Sequence, residues 1–85
     1  MKQFEYTIQD PLGIHARPAG LLVREVKRFD SSCSITKKGV TVKADHLMKL
    51  MRLVIKNGDT VLVTAEGADE DAAIEALRMF FNNNS

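Results

Sequence analysis

Apolar and polar residues alternate at the start of the chain, with Phe4, Tyr6 and Ile8 against Glu5, Thr7 and Gln9. A period of two predicts a strand with one buried face. Pro11 and Gly13 end it. From Ala16 the spacing turns helical, and Ala19, Leu22, Val23, Val26 and Phe29 fall on one apolar stripe. Arg17, Leu21, Arg24 and Arg28 share another face, with Lys27 beside them. One side of this helix packs; the other presents cations around a leucine.

Alternation returns over Ser32 to Lys37, around Cys33 and Ile35, and over Val40 to Lys43, around Val40 and Val42. Lys38-Gly39 between them predicts a tight turn and hence a hairpin. Asp45 is the expected N-cap of a short helix from about His46 to Leu53. Leu50, Leu53 and Val54 on that helix are expected to face the core, which leaves Leu47, Met48 and Met51 on a neighbouring face. So short a helix on a sheet cannot bury both faces, and the surplus predicts an exposed apolar patch suited to contacts. The alternative is a helix sunk deeper in the core. Asn57-Gly58 signals a turn, and Thr60 to Glu66 a strand with Val61, Val63 and Ala65 on one side. Gly67 breaks it. Asp69 is the expected cap of a last helix, whose stripe is Ala73, Ile74, Leu77, Phe80 and Phe81, and the polar end Asn82-Asn83-Asn84-Ser85 is expected to fray. The order is β-α-β-β-α-β-α. Patterning of this kind calls for helices covering one side of a sheet, and it leaves a ferredoxin-like arrangement open.

The 85 residues suffice for one domain, residues 1–85, with one modest core. A net charge of +1 gives no general pull toward nucleic acid or an anionic membrane. No apolar run approaches the roughly 20 residues of a membrane span, and Met1-Lys2-Gln3-Phe4-Glu5 does not read as a signal peptide, so the expected location is the cytoplasm. Cys33 is the only cysteine, which rules out an internal disulfide and makes a small buried hydrophobe its expected role. No phosphate-cradling glycine loop, metal-ligand cluster or paired catalytic carboxylates stand out, so no metal, cofactor or complete enzyme is expected.

One stretch carries chemistry. In Asp10-Pro11-Leu12-Gly13-Ile14-His15-Ala16-Arg17-Pro18-Ala19-Gly20, a histidine stands where a helix begins. The first backbone N–H groups of a helix have no internal partner, and that end of the dipole is partly positive. Proline in the first turn loses nothing by lacking an N–H. An imidazole at His15, donors at Ala16 and Arg17, and a guanidinium that keeps its proton together suit a phosphoryl group. A lone histidine before a helix is also what an ordinary solvated cap looks like.

Gly13-Ile14-His15-Ala16-Arg17-Pro18-Ala19-Gly20 resembles the phosphorylation-site motif of the HPr family, the histidine-containing phosphocarriers of the phosphoenolpyruvate:sugar phosphotransferase system, and the similarity runs through essentially the whole chain. The resemblance implies an α+β open-faced β-sandwich, a four-stranded antiparallel sheet with three helices on one face. It implies a carrier, rather than an enzyme, that takes a phosphoryl group on Nδ1 of His15 from phosphorylated enzyme I and passes it to sugar-specific enzyme IIA domains, with Arg17 assisting. The partner surface would comprise Arg17, Gly20, Leu21, Arg24 and Lys27 with Leu47, Met48 and Met51. A monomer is expected. The second reading is a regulatory HPr-like protein of a nitrogen-type phosphotransfer branch, and a third a plain interaction module, which the pairing of His15 with Arg17 disfavours. The chain departs from many HPr proteins at the start of the second helix, where His46 stands in place of a kinase-modified serine.

Overall fold

The structure, a computed structural model, describes residues 1–84. Its elements are β1 (Lys2–Thr7), α1 (Ala16–Val26), β2 (Ser32–Lys37), β3 (Val40–Lys43), α2 (Leu47–Leu53), β4 (Thr60–Glu66) and α3 (Glu70–Asn84). The strands form one antiparallel sheet in the order β1-β4-β2-β3. Register explains why one face is apolar. Phe4 lies opposite Val63, Val63 opposite Ile35, and Ile35 opposite Val42, so the alternating positions of four strands form one row. Glu5, Leu62, Thr36 and Thr41 make the adjoining row on the other face, where Thr36 and Thr41 share a hydroxyl hydrogen bond of 2.7 Å.

All three helices contribute buried side chains to the apolar side: Ala19, Leu22 and Val26 from α1, Leu50 from α2, and Ala73, Ile74, Leu77 and Phe81 from α3. Phe81 is fully buried and meets the Phe4 ring edge-on at 6.2 Å and the Tyr6 ring at 5.4 Å. This is the open-faced sandwich, not the ferredoxin-like alternative. The hairpin turn is as expected, with φ of 50° at Lys38 and 82° at Gly39, the paired left-handed conformation of a two-residue connection. Cys33 is buried, and that burial pushes its thiol up from its ordinary value, with Asp69 and Asp45 adding to the effect.

Several local expectations give way to longer-range contacts. Val40 is 55% exposed at the sheet edge rather than inward-facing. Asp45 does not cap α2; His46 takes the cap position, with no side-chain hydrogen bond to the helix. Val54 has left the helix altogether and is exposed, while Leu53 is half-buried. The polar end does not fray at Asn82 to Asn84, which continue α3, and Ser85 lies outside the described residues.

Asp69 is drawn away from its own helix. Its carboxylate accepts the Asp30 N–H at 2.9 Å, the Ser31 N–H at 2.9 Å and the Ser31 hydroxyl, stapling the α1–β2 loop to the head of α3. Glu70, the first residue of α3, accepts the N–H of Gly67 at 3.1 Å and so ties the preceding turn to the helix. The Ser31 hydroxyl, then the backbone donors, hold the Asp69 carboxyl below the usual carboxylate range. A folded-state value below the unfolded one contributes stability above the unfolded value, about pH 4, and loses it as pH falls through the folded value. Asp69→Asn should therefore melt several degrees below the parent at neutral pH. In melts across pH, that gap should close as the solution is acidified below about pH 4.

Candidate functional site

The loop ahead of α1 is built from its own residues first. Asp10 accepts the Leu12 N–H on Oδ1 at 2.8 Å and the Gly13 N–H on its carbonyl at 2.9 Å, which turns the chain sharply. Gly13 then adopts φ of 67°, and a side chain there would overlap Ile55 O and lie 2.8 Å from Lys56 Cα. Both the conformation and the closeness demand glycine. Ile14 anchors the loop: its side chain is buried and its N–H donates to Ile55 O at 3.0 Å. Two contacts thus lock the residues just before His15 onto the loop joining α2 to β4.

His15 is the N-cap of α1, extended at φ −97° and ψ −170°, and its carbonyl accepts the Ala19 N–H at 3.0 Å. Its imidazole is half-buried, makes no capping bond, and has no hydrogen-bond partner among the described residues. Among the described residues the N–H groups of Ala16 and Arg17 find no acceptors, Pro18 has no N–H, and no acidic residue occupies the first turn. Pro18 is itself buried and fixes the direction of the helix start. Arg17 is exposed and in no ion pair among the described residues. The histidine, two backbone donors and an uncommitted guanidinium are therefore contributed within three consecutive residues, with no carboxylate in the turn to neutralise them.

Of the residues expected on a partner surface, Arg24 and Lys27 are exposed and also unpaired among the described residues, whereas Arg28 is held by Glu25 at 2.9 Å. Gly20 and Leu21 are half-buried, and a Cβ on Gly20 would meet nothing within 4 Å, so the helix surface is open there. The helices α1 and α2 pack against each other. Leu47 is 41% and Met48 64% exposed on α2, which bears out the apolar patch at those two positions. Met51 is half-buried against the core, so it supports the patch from beneath more than it presents it. Three residues that patterning did not single out belong to this description. Leu12 is 73% exposed at the loop tip, and Lys49 and Arg52 stand exposed on α2. Leu12 sits between turn residues, where no periodicity marks an apolar side chain as outward-facing. His46 is exposed at the cap of α2. Among the described residues no three His, Cys, Asp or Glu side chains gather where a metal ion would fit, and no helix is long and apolar enough to cross a membrane.

Residues 2–83 match the family model described as the phosphotransferase-system HPr component phosphorylation site. The phosphocarrier protein HPr of Mycoplasma genitalium is 38% identical over 85 residues, covering 99% of this chain and 97% of the relative. An HPr-like protein, Crh, of Halalkalibacterium halodurans is 44% identical over 79 residues, covering 93% and 92%. The crystal structure of HPr from Thermoanaerobacter tengcongensis superposes with a TM-score of 0.93 at 36% identity, covering 98% of this chain and 93% of that one. A dimer of HPr from the same organism superposes at 0.78, with 36% identity over 98% and 95% of the two chains. Fold and matches define the class: a phosphocarrier, not a catalytic enzyme. The chain belongs to the HPr family of the phosphotransferase system.

Proposed function

We propose that His15 is the carrier atom's residue: Nδ1 accepts a phosphoryl group from phosphorylated enzyme I and yields it to a histidine of a sugar-specific enzyme IIA domain. The observation that carries this reading is an imidazole that makes no capping bond and has no hydrogen-bond partner among the described residues, beside N–H groups of Ala16 and Arg17 that likewise find no acceptor among them. In the first transfer, the Nδ1 lone pair forms an N–P bond as the bond between phosphorus and the donor breaks. The second transfer reverses the roles. Charge on the moving phosphoryl oxygens needs fixed donors more than covalent help, and the helix start with the Arg17 guanidinium supplies them from the carrier's side. The experiment is incubation with enzyme I and phosphoenolpyruvate, then peptide mapping of an acid-labile, base-stable phosphate. A phosphate found elsewhere than His15 sinks the reading.

Donor and acceptors would meet one surface, Arg17, Gly20, Leu21, Arg24 and Lys27 on α1 beside Leu47 and Met48 on α2. An apolar centre with a cationic rim suits brief encounters with acidic partners. Met48→Asp should weaken binding to enzyme I about tenfold or more, because docking would desolvate the new charge. Its melting temperature should stay within about 3 °C of the parent, since the side chain is mostly in solvent. Titration calorimetry and a thermal melt check the two halves. We read the carrier as a cytoplasmic monomer in these encounters. The solved dimer is the outcome that sedimentation at working concentration tests against.

A regulatory HPr-like protein of a nitrogen-type phosphotransfer branch remains the second reading, and one relative, 44% identical, is itself named an HPr-like protein. Transfer from His15 to a sugar-specific IIA domain separates the two. Either way, His46 offers no hydroxyl for a serine kinase at the head of α2.

A further inference from the structure

Ile55 O receives the Ile14 N–H, so whatever orients the Ile55 peptide also orients the loop that carries His15. Val54, just before it, sits at φ 52° and ψ 70°, left-handed backbone that strains a β-branched residue. It is 52% exposed, so its own side chain does little to hold that conformation. The restraint comes from β2. Lys37 Nζ donates to Val54 O at 2.6 Å and pairs with Asp59 at 2.8 Å, and the same Asp59 oxygen accepts the Lys56 N–H at 2.8 Å. One ammonium thus ties the chain before Ile55 to the chain after Lys56. Both charged side chains are largely sheltered, at 14% and 22% exposure, and the Lys37 bond holds the Asp59 carboxyl below the usual carboxylate range.

We propose that Lys37 is a positioning residue for phosphoryl transfer. By clamping Val54 O and Asp59 it holds the strained turn after α2, and so fixes Ile55 O as the anchor for Ile14 and His15. The inference rests on the phosphocarrier reading. Lys37 is remote in sequence from the active loop and acts only through the α2–β4 connection.

The test uses Lys37→Met, Val54→Gly and the double variant, all studied well below their melting temperatures. Hydrogen exchange reads the anchor at the Ile14 amide, with β4 amides as the measure of global stability. Phosphorylation by enzyme I and phosphoenolpyruvate reads transfer. In Lys37→Met, Ile14 exchange should rise about tenfold beyond any change in β4, since an anchor without its clamp opens locally. The rate at saturating carrier should fall about tenfold, with the half-saturating concentration unchanged, as misorientation rather than weaker docking requires. Val54→Gly removes the strain the clamp opposes, so the double variant should recover both values to within about twofold. Unchanged Ile14 exchange in Lys37→Met, a loss confined to half-saturation, or a folded double variant that recovers neither value would overturn the proposal. A parent that takes no phosphate on His15 would overturn the phosphocarrier reading instead, and the Ile14 exchange would still decide whether the clamp holds the loop.

Discussion

His15→Ala is expected to accept no phosphoryl group from phosphorylated enzyme I while folding as the parent does. The loss should be complete rather than partial, because the substitution removes the nitrogen to which phosphorus would bond. The fold should be spared for a reason visible in the geometry. An N-cap residue exchanged for alanine typically costs about 1 kcal/mol when its side chain accepts a helix N–H. His15 makes no such bond, and its role in the cap runs through its carbonyl, which alanine keeps. The change in stability should therefore stay within about 0.5 kcal/mol, as for surface substitutions generally. Urea unfolding and the phosphate assay are run on the same preparation. A variant that labels at an undiminished rate places the acceptor elsewhere; one that is unfolded makes His15 a structural residue.

The strands β2, β3 and β4 were legible in the sequence to the residue, because each is bracketed by chemistry that acts locally. Lys38-Gly39 closes the hairpin with left-handed backbone at both positions, and Gly67 follows the last residue of β4. The stripes of α1, as far as Val26, and of α3 were legible as well, since periodicity reports a face whatever it packs on. The position of His15 in the fold was legible too: a proline within the first turn and helical spacing from Ala16 put it at the cap.

What could not be read depends on partners far along the chain. Asp69 obeys the local rule for a helix cap until Ser31, 38 residues away, offers it two donors. Val54 continues the apolar spacing of α2, yet the helix ends before it, and its carbonyl is bound by Lys37, 17 residues earlier. Arg24 and Arg28 look alike on a helical wheel, but α1 ends at Val26, and among the described residues Arg28 is pinned by Glu25 while Arg24 is in no ion pair. Met51 fits the surplus apolar face by spacing and is half-buried once α2 is tilted onto the core. The resemblance at the motif conveyed which histidine to watch. It conveyed nothing of the α2–β4 connection on which that histidine's loop is hung.

Gly13→Ala should show how much depends on that connection. Two penalties add at this position. Alanine at φ 67° is in left-handed backbone, which costs a non-glycine residue roughly 1–2 kcal/mol. Its methyl would also overlap Ile55 O and approach Lys56 Cα within 2.8 Å. The obstruction is backbone, which cannot swing aside as the end of a flexible side chain would. Relief requires the loop to move off Ile55, and the Ile14 N–H···O bond of 3.0 Å must lengthen or break with it. Losing that bond to a largely buried donor costs about 1–3 kcal/mol more. Gly13→Ala should therefore destabilise by about 2–5 kcal/mol in total, placing it among the more damaging single substitutions. It should also slow phosphorylation of His15 by about tenfold or more where the protein is still folded, since the imidazole follows Ile14. The contrast with Gly20→Ala is the control, because a methyl there meets nothing within 4 Å and α1 is helical. Gly20→Ala should hold or raise the melting temperature, by up to about 1 kcal/mol of added stability. Calorimetric melts of the two variants, with transfer assays on each, decide the matter. Equal melting temperatures would mean that the loop does not press on Ile55 as closely as its geometry requires.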